Sequence, residues 1–257
     1  VSNHSEMDHS GCLGEVIDLI KPAKVFASAI GVKTLKELYH DQHEIIAVKD
    51  GETLSLGNMD LTFMETRMIH WPDSMFSYLE KDGVLFSQDA FGMHLATLER
   101  FDDELPQSTL EFEAATYYAN IVLPYSAIVT KTLEKVTATG WKIKIIAPDH
   151  GPIWRKNLGW IIELYKKWAA QKLVNKAVVI YATMWHSTEK MARAISESLA
   201  EEGVKVKMMP VNEVHRSNVV YEVLEAGALI VGSSTLNNNI LPAMADVMTY
   251  LKGLKPA

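Results

Sequence analysis

The chain has 257 residues, 48% of them hydrophobic, enough for two modest domains with cores of their own. Its net charge of −7, with basic residues scattered, argues against a nucleic-acid or anionic-membrane partner, and no run of about 18 apolar residues exists to span a bilayer. Cys12 is the single cysteine, which excludes an intrachain disulfide and a cysteine-ligated iron-sulfur or rubredoxin-type centre; with no charged-then-apolar leader, these features predict a cytoplasmic protein.

Four potential metal ligands, His4, Glu6, Asp8 and His9, fall within the first nine residues. In an extended segment His4, Glu6 and Asp8 share one side, because side chains alternate, and His9 turns back from the next position. One short loop then feeds two adjacent metals, although a polar, histidine-containing stretch also suits a solvated loop. The chain continues with a helix ending at Ile20, before Lys21-Pro22, then a buried strand at Val25-Phe26-Ala27 and a short helix over Thr34–Tyr39. His40 and His43 read as surface residues. Strands follow over Ile45–Val48, Glu52–Leu56 and Asp60–Glu65, with a turn at Gly57-Asn58.

His70 comes next, in a loop stiffened by Trp71-Pro72; Trp71 either shields the site from water or packs in the core. A hairpin of Met75–Leu79 and Val84–Phe86, turning at Lys81-Asp82-Gly83, delivers Asp89. His94 reads as a solvated or structural loop residue outside the ligand set. Helical spacing covers Leu110–Ile121 and Tyr125–Thr139 around Pro124, and a strand over Ile143–Ala147 ends in Pro148-Asp149-His150-Gly151-Pro152. His70, Asp89 and His150 each stand where an apolar run gives way to a loop, the place where a rigid scaffold presents ligands.

Trp160, Ile161, Leu164, Tyr165 and Trp168 share a helix face and read as packing residues, and Gln171–Lys176 reads as a linker. Strands at Ala177–Ala182, Val204–Met209 and Ala228–Val231 then alternate with helices from Thr188, over Ser217–Glu225 and from Pro242, the pattern of a doubly wound parallel sheet. Between its first strand and helix, Thr183-Met184-Trp185-His186-Ser187-Thr188 offers hydroxyls and free backbone N–H groups suited to a phosphate dianion, or equally an ordinary helix cap.

The set His4-x-Glu6-x-Asp8-His9, His70, Asp89 and His150 resembles the metal motif of the flavodiiron proteins, a branch of the metallo-β-lactamase superfamily. Residues 1–172 resemble part of an αββα diiron domain, and residues 173–257 part of a flavodoxin-like domain, both incomplete. The resemblance implies two non-haem irons: His4, Glu6 and His70 on one, Asp8, His9 and His150 on the other, Asp89 bridging, with water able to replace His9. Glu6 stands where the hydrolytic branch usually carries histidine, and a carboxylate makes the site harder and more anionic, which suits iron better than zinc. The Thr183–Thr188 loop resembles a flavodoxin phosphate loop. Ser233, Ser234, Thr235, Leu236, Asn237, Asn238 and Asn239 resemble the loop that meets the flavin ring, so FMN is implied. The activity implied is reduction of dioxygen to water or nitric oxide to nitrous oxide, with a rubredoxin-like donor and a head-to-tail homodimer or dimer of dimers. A zinc hydrolase fused to a flavodoxin-like domain, and a non-enzymatic flavin carrier or sensor, are the other readings.

Overall fold

The structure is a computed structural model that describes residues 1–39 and 43–256; His40 lies outside the described residues. The chain divides into two compact units, Val1–Ala114 with Ala127–Lys166, and Ala115–Ser126 with Lys167–Ala257.

In the first unit the opening segment is extended only as far as Glu6. Residues Met7–Ser10 form a helical turn, α1, followed by α2 (Leu13–Ile20), β1 (Val25–Ser28) and α3 (Ala29–Tyr39). The extended course expected through Asp8 is therefore corrected: helical rotation, not strand alternation, aims Asp8 and His9. β2 (Ile45–Val48) pairs parallel to β1. Then β3 (Thr53–Ser55), β4 (Asp60–Glu65), β5 (Met75–Leu79), β6 (Val84–Gln88) and β7 (Ile145–Pro148) form one sheet in that order, antiparallel up to β6 and parallel from β6 to β7.

Val48, Leu61, Phe63 and Met75 form a buried cluster beside this sheet. At the β5–β6 turn Gly83 has a φ of 68°, and a Cβ there would meet the Lys142 carbonyl oxygen at 2.6 Å, so glycine is required. His43 is not a surface residue: its side chain is 12% exposed, 3.8 Å from Asp18, with its ring 6.3 Å from that of Tyr39. Gly14 leaves it room, since a Cβ there would lie 3.3 Å from the imidazole.

α4 (Gln107–Tyr117) does not continue as an α-helix to Ile121. The backbone widens to a π-turn over Tyr118–Val122, tightens to a 3-10 turn over Leu123–Tyr125, and enters α5 (Ser126–Thr139). Pro124 lacks an N–H and cannot sustain the regular ladder, so the hydrogen-bond spacing shifts around it. α6 (Leu158–Ala169) is anchored at its start by the buried Asp102 carboxylate, which accepts from the N–H groups of Arg155, Lys156 and Asn157 at 2.7–3.2 Å.

The second unit holds a parallel sheet of β8 (Val174–Ala182), β9 (Lys205–Pro210) and β10 (Ala226–Ser233) in the order β10-β8-β9. Half of the expected linker is thus strand: Val174 pairs with Ala226 and Lys176 with Lys205. α7 (Ser187–Glu201), α8 (Arg216–Val223) and α9 (Pro242–Leu254) complete the alternation. The stretch after β10, expected as a loop, contains a small hairpin of β11 (Thr235–Leu236) and β12 (Asn239–Ile240), turned by Asn237 and Asn238 at φ 50° and 59°. Asparagine tolerates this left-handed geometry, which a two-residue hairpin requires. Among the described residues no helix is long and apolar enough to cross a membrane.

Candidate metal centre and flavin loops

The metal-motif side chains come from the opening segment with its α1 turn and from three loops at strand ends. Ser2 bridges to Ala27 on β1, Asn3 accepts the N–H of Met75 at 3.0 Å, and its side chain accepts from Ser77, so His4 enters the interior from a held backbone. His70 sits in the β4–β5 loop, Asp89 follows β6, and His150 follows β7. Gly151, at φ 76°, would place a Cβ 2.6 Å from Met93, so only glycine permits the chain to turn there.

These residues converge as two groups, His4, Glu6, His70 and Asp89, and Asp8, His9 and His150, with candidate ligand atoms in each group within 4.8 Å of one another. Asp89 lies between them. Its Oδ2 is 3.3 Å from His4 Nε2 and 3.4 Å from His70 Nε2, while its Oδ1 is 3.1 Å from His9 Nε2 and 3.4 Å from His150 Nε2. Glu6 Oε2 is 3.2 Å from both His4 Nε2 and His70 Nε2, and Asp8 Oδ2 is 3.1 Å from His150 Nε2. Four imidazoles and three carboxylates, with Asp89 only 1% exposed, make a donor set suited to two divalent transition-metal ions. His43 and His94 stand outside both groups.

The electrostatics follow from crowding opposite charges in a dry place. Burial alone would raise the Asp89 pKa, but hydrogen bonds from His70 and His9 and the charges of His4 and His9 hold it well below the usual carboxylate range. Burial opposes protonation of His4 and His9; the carboxylates facing them outweigh it and raise both.

Three further residues shape this centre without belonging to the motif. Asp73, 3% exposed, receives His4 Nδ1 at 3.2 Å and both the N–H and hydroxyl of Ser5 at 2.7 Å. It thereby sets the tautomer that leaves His4 Nε2 free for a metal. Asp149 lies 3.4 Å from His9 Nδ1, an ion-pair neighbour on the same side of that ring. Gln88 is buried beneath the loops. The only sequence signals were an Asp beside Pro72 and an Asp beside His150. Trp71 is half-buried, edge-on to His4 at 5.3 Å, and the exposed His94 is edge-on to His150 at 5.3 Å. Tyr165, from the expected packing face, also accepts the Phe91 N–H at 2.8 Å, and Trp154 donates to the Phe91 carbonyl at 2.8 Å, clamping the segment after Asp89.

In the second unit His186, at φ 61°, precedes α7 and makes no side-chain cap. Among the described residues no side chain caps α7 there, which leaves first-turn N–H groups suited to an anion. The Thr183 hydroxyl is buried without a partner among the described residues, and Ser234 Oγ accepts from Met184 N at 3.3 Å and meets Thr188 Oγ1 at 3.1 Å. Ser187 opens α7, and Ser233 Oγ accepts the Leu241 N–H at 3.0 Å. Trp185 is 83% exposed, with Met184, Leu236 and Ile240 also exposed. An orphaned hydroxyl, an uncapped helix start and exposed apolar groups on neighbouring loops fit a phosphate with a flat ring system.

The fold and donor set define a diiron-type β-lactamase-like unit followed by a flavodoxin-like unit, and the comparisons agree. A family model described as ODP family beta lactamase matches residues 1–151, and a flavodoxin model matches residues 179–254. The rubredoxin-oxygen oxidoreductase of Megalodesulfovibrio gigas is 45% identical over 100% of this chain and 64% of its own, and the nitric oxide reductase of Moorella thermoacetica is 44% identical with the same coverage. Among solved structures, the rubredoxin oxygen:oxidoreductase of Desulfovibrio gigas aligns over 99% of this chain and 64% of its own with a TM-score of 0.96 at 45% identity. The flavodiiron protein of Giardia intestinalis does so over 98% and 62% with a TM-score of 0.93 at 32% identity. The chain belongs to the flavodiiron protein family. It spans 64% of the length of the curated relatives it matches.

Proposed function

We propose that the full-length protein is a cytoplasmic oxidoreductase that reduces dioxygen to water, nitric oxide to nitrous oxide, or both, with electrons relayed through FMN from a rubredoxin-like donor. The observation that carries this reading is the buried Asp89 carboxylate, one oxygen toward each donor group. His4, Glu6 and His70 would hold one iron, Asp8, His9 and His150 the other, and Asp89 would bridge them. Bound there, paired ferrous ions would supply electrons and Lewis-acid charge to a diatomic gas.

The chain's own residues do the positioning. Asp73 orients His4, Asp149 places a carboxylate beside His9, and Trp71 and His94 border the imidazoles. In the flavodoxin-like unit the first turn of α7 with Thr183, Ser187 and Thr188 would hold the FMN phosphate, and Met184, Trp185 and the Ser233–Asn239 hairpin would flank the ring. The relatives' names, which cover both oxygen and nitric oxide reduction, support both gases as substrates.

Only residues 170–173 separate α6 from β8. That connection lies within the second unit, so it is the family resemblance that supports a head-to-tail dimer in which the flavin of one subunit would serve the irons of the other. Iron and flavin analysis followed by stopped-flow oxidation of the reduced full-length protein tests the reading: two irons and one FMN per chain, reoxidised by at least one gas, are expected. Zinc in place of iron, with hydrolytic activity, would sink it.

A further inference from the structure

The last residue of β6, Gln88, is fully buried and holds a φ of 47°, a left-handed conformation that a non-glycine residue keeps only where its surroundings over-determine it. Its bonds show what those surroundings are. The side-chain Nε2 donates to the carbonyl of Ile69, the residue before His70. The side-chain Oε1 accepts the N–H of Asp89 at 2.7 Å, and the backbone carbonyl accepts the N–H of Asp149, the residue before His150, at 2.9 Å. The amide orientation is settled by its neighbours, since a carbonyl must face the NH2 and an N–H must face the oxygen.

One residue thus ties three ligand-bearing loops together, and it does so unevenly. Its side chain bonds the Ile69 carbonyl, beside His70, which faces only the His4–Glu6 group, and the backbone N–H of Asp89, which faces both groups, whereas the His150 loop is held through the backbone, which a substitution leaves in place. We propose that Gln88 is a positioning residue whose amide sets the His70 loop, through Ile69, and the backbone at Asp89, and so, because only the His4–Glu6–His70 subsite depends on both, governs that subsite in preference to the Asp8–His9–His150 subsite. This rests on the two-metal reading above.

Two variants separate the bonds. Gln88→Glu keeps the acceptor for Asp89 N–H but loses the donor to Ile69, and Gln88→Met, of similar length, loses both. The full-length, FMN-loaded protein is titrated anaerobically with ferrous ion, and bound iron is followed by Mössbauer spectroscopy. Wild-type protein should take up two ions per chain. Each variant should bind one of them roughly tenfold to a hundredfold more weakly, the range for losing an outer partner of a ligand, while the other step is kept. The spin-coupled pair should give way to a mononuclear signal at one iron per chain, with flavin content unchanged.

A structural role alone would lower the unfolding midpoint and leave a two-step isotherm as in the wild type; that result, or equal weakening of both steps, overturns the proposal. If neither variant folds, Gln88 serves folding and the proposal also fails. Wild-type protein that binds no pair of ions sinks the two-metal reading and this inference together, whereas a wild-type pair left untouched in both variants sinks this inference alone.

Discussion

The metal-motif residues and the candidate flavin loops solve opposite problems. Around Asp89 the ligating atoms already face one another, and buried groups, Asp73 and Gln88, fix their directions. Around Thr183–Thr188 the groups are polar or exposed, Trp185 conspicuously so, and hydroxyls stand where a ligand would meet them. A metal gains affinity from ligands whose orientation is set in advance, because an unpaired charge in a dry interior tolerates no slack. A flavin brings its own large apolar surface and a dianion, so loops that close on it suffice. The first site should therefore fail through single outer partners, the second only through several contacts together.

The sharpest break of that contrast is Asp89→Ala, which removes the group shared by both donor sets. Iron should fall from two per chain to near zero and gas reduction should be lost, with FMN retained; metal and flavin analysis on one sample checks it. Flavin lost in parallel would mean the two sites do not fail separately. The same variant combined with His70→Ala, mixed with a Ser187→Ala, Thr188→Ala partner, tests the dimer: two inactive proteins should regain about half the activity per mixed dimer, since one complete pair is restored. Mixed dimers that form and stay inactive would rule out transfer across the interface.

The paired change Ser187→Ala, Thr188→Ala comes next. Each hydroxyl bond to a charged group is worth about 1.5 to 3 kcal/mol, or roughly tenfold to a hundredfold in affinity per bond. Fluorimetric titration with FMN should show the loss while iron uptake is unchanged; an unaltered affinity would remove this loop from the site. Smaller again is Asp73→Asn, which keeps the shape but removes the charge behind His4. Iron affinity should drop roughly tenfold to a hundredfold at one subsite, with flavin affinity constant. A Ser5 or His4 environment unchanged by NMR together with normal iron affinity would show that Asp73 serves folding alone.

The candidate ligand positions were readable in the sequence because each is announced locally, by the dense His and carboxylate run at residues 4–9 or by a histidine or carboxylate where an apolar run ends. Asp73 and Gln88 carry no such mark. Asp73 meets His4 across 69 positions of chain, and Gln88 reaches Ile69 across 19, so their roles exist only once the loops are folded together. The turn at Met7–Ser10 was hidden because four residues are too few for a periodicity to show. Likewise Val174-Asn175-Lys176 resembles a linker, since the exposed start of a strand need not be apolar; its pairing with Ala226 and Lys205 decides. Residues 115–126, read as the end of a helix from Leu110, the break around Pro124 and the start of the next helix, fall in the second unit, where Asn120 bonds to the Ser217 carbonyl and accepts from Tyr250.

That segment supplies the smallest prediction, and it asks whether the second unit's stability can be read alone. Tyr118 is wholly buried, its ring 5.3 Å from that of Trp168, and its hydroxyl lies 3.0 Å from Ser126 Oγ. Ser126 gives its own proton to the Leu123 carbonyl at 2.8 Å, so Tyr118 is the donor. Burial pushes the Tyr118 pKa up to about 12, the Ser126 contact offsetting part of the rise. An unfolded tyrosine ionises near pH 10. Below that both states keep the proton and the contribution is whole; between about pH 10 and 12 the unfolded state loses its proton first, so stability falls as pH rises. Some 2 to 3 kcal/mol is at stake across that window. Tyr118→Phe should be about 1 kcal/mol less stable than wild type at pH 8, for the lost hydrogen bond, yet should close the gap or overtake it by pH 11.5. Other tyrosines and lysines titrate in both proteins, so the difference between the two denaturant curves isolates Tyr118. A difference that stays constant from pH 8 to 11.5 would mean that Tyr118 ionises as freely in the folded unit as in the unfolded chain.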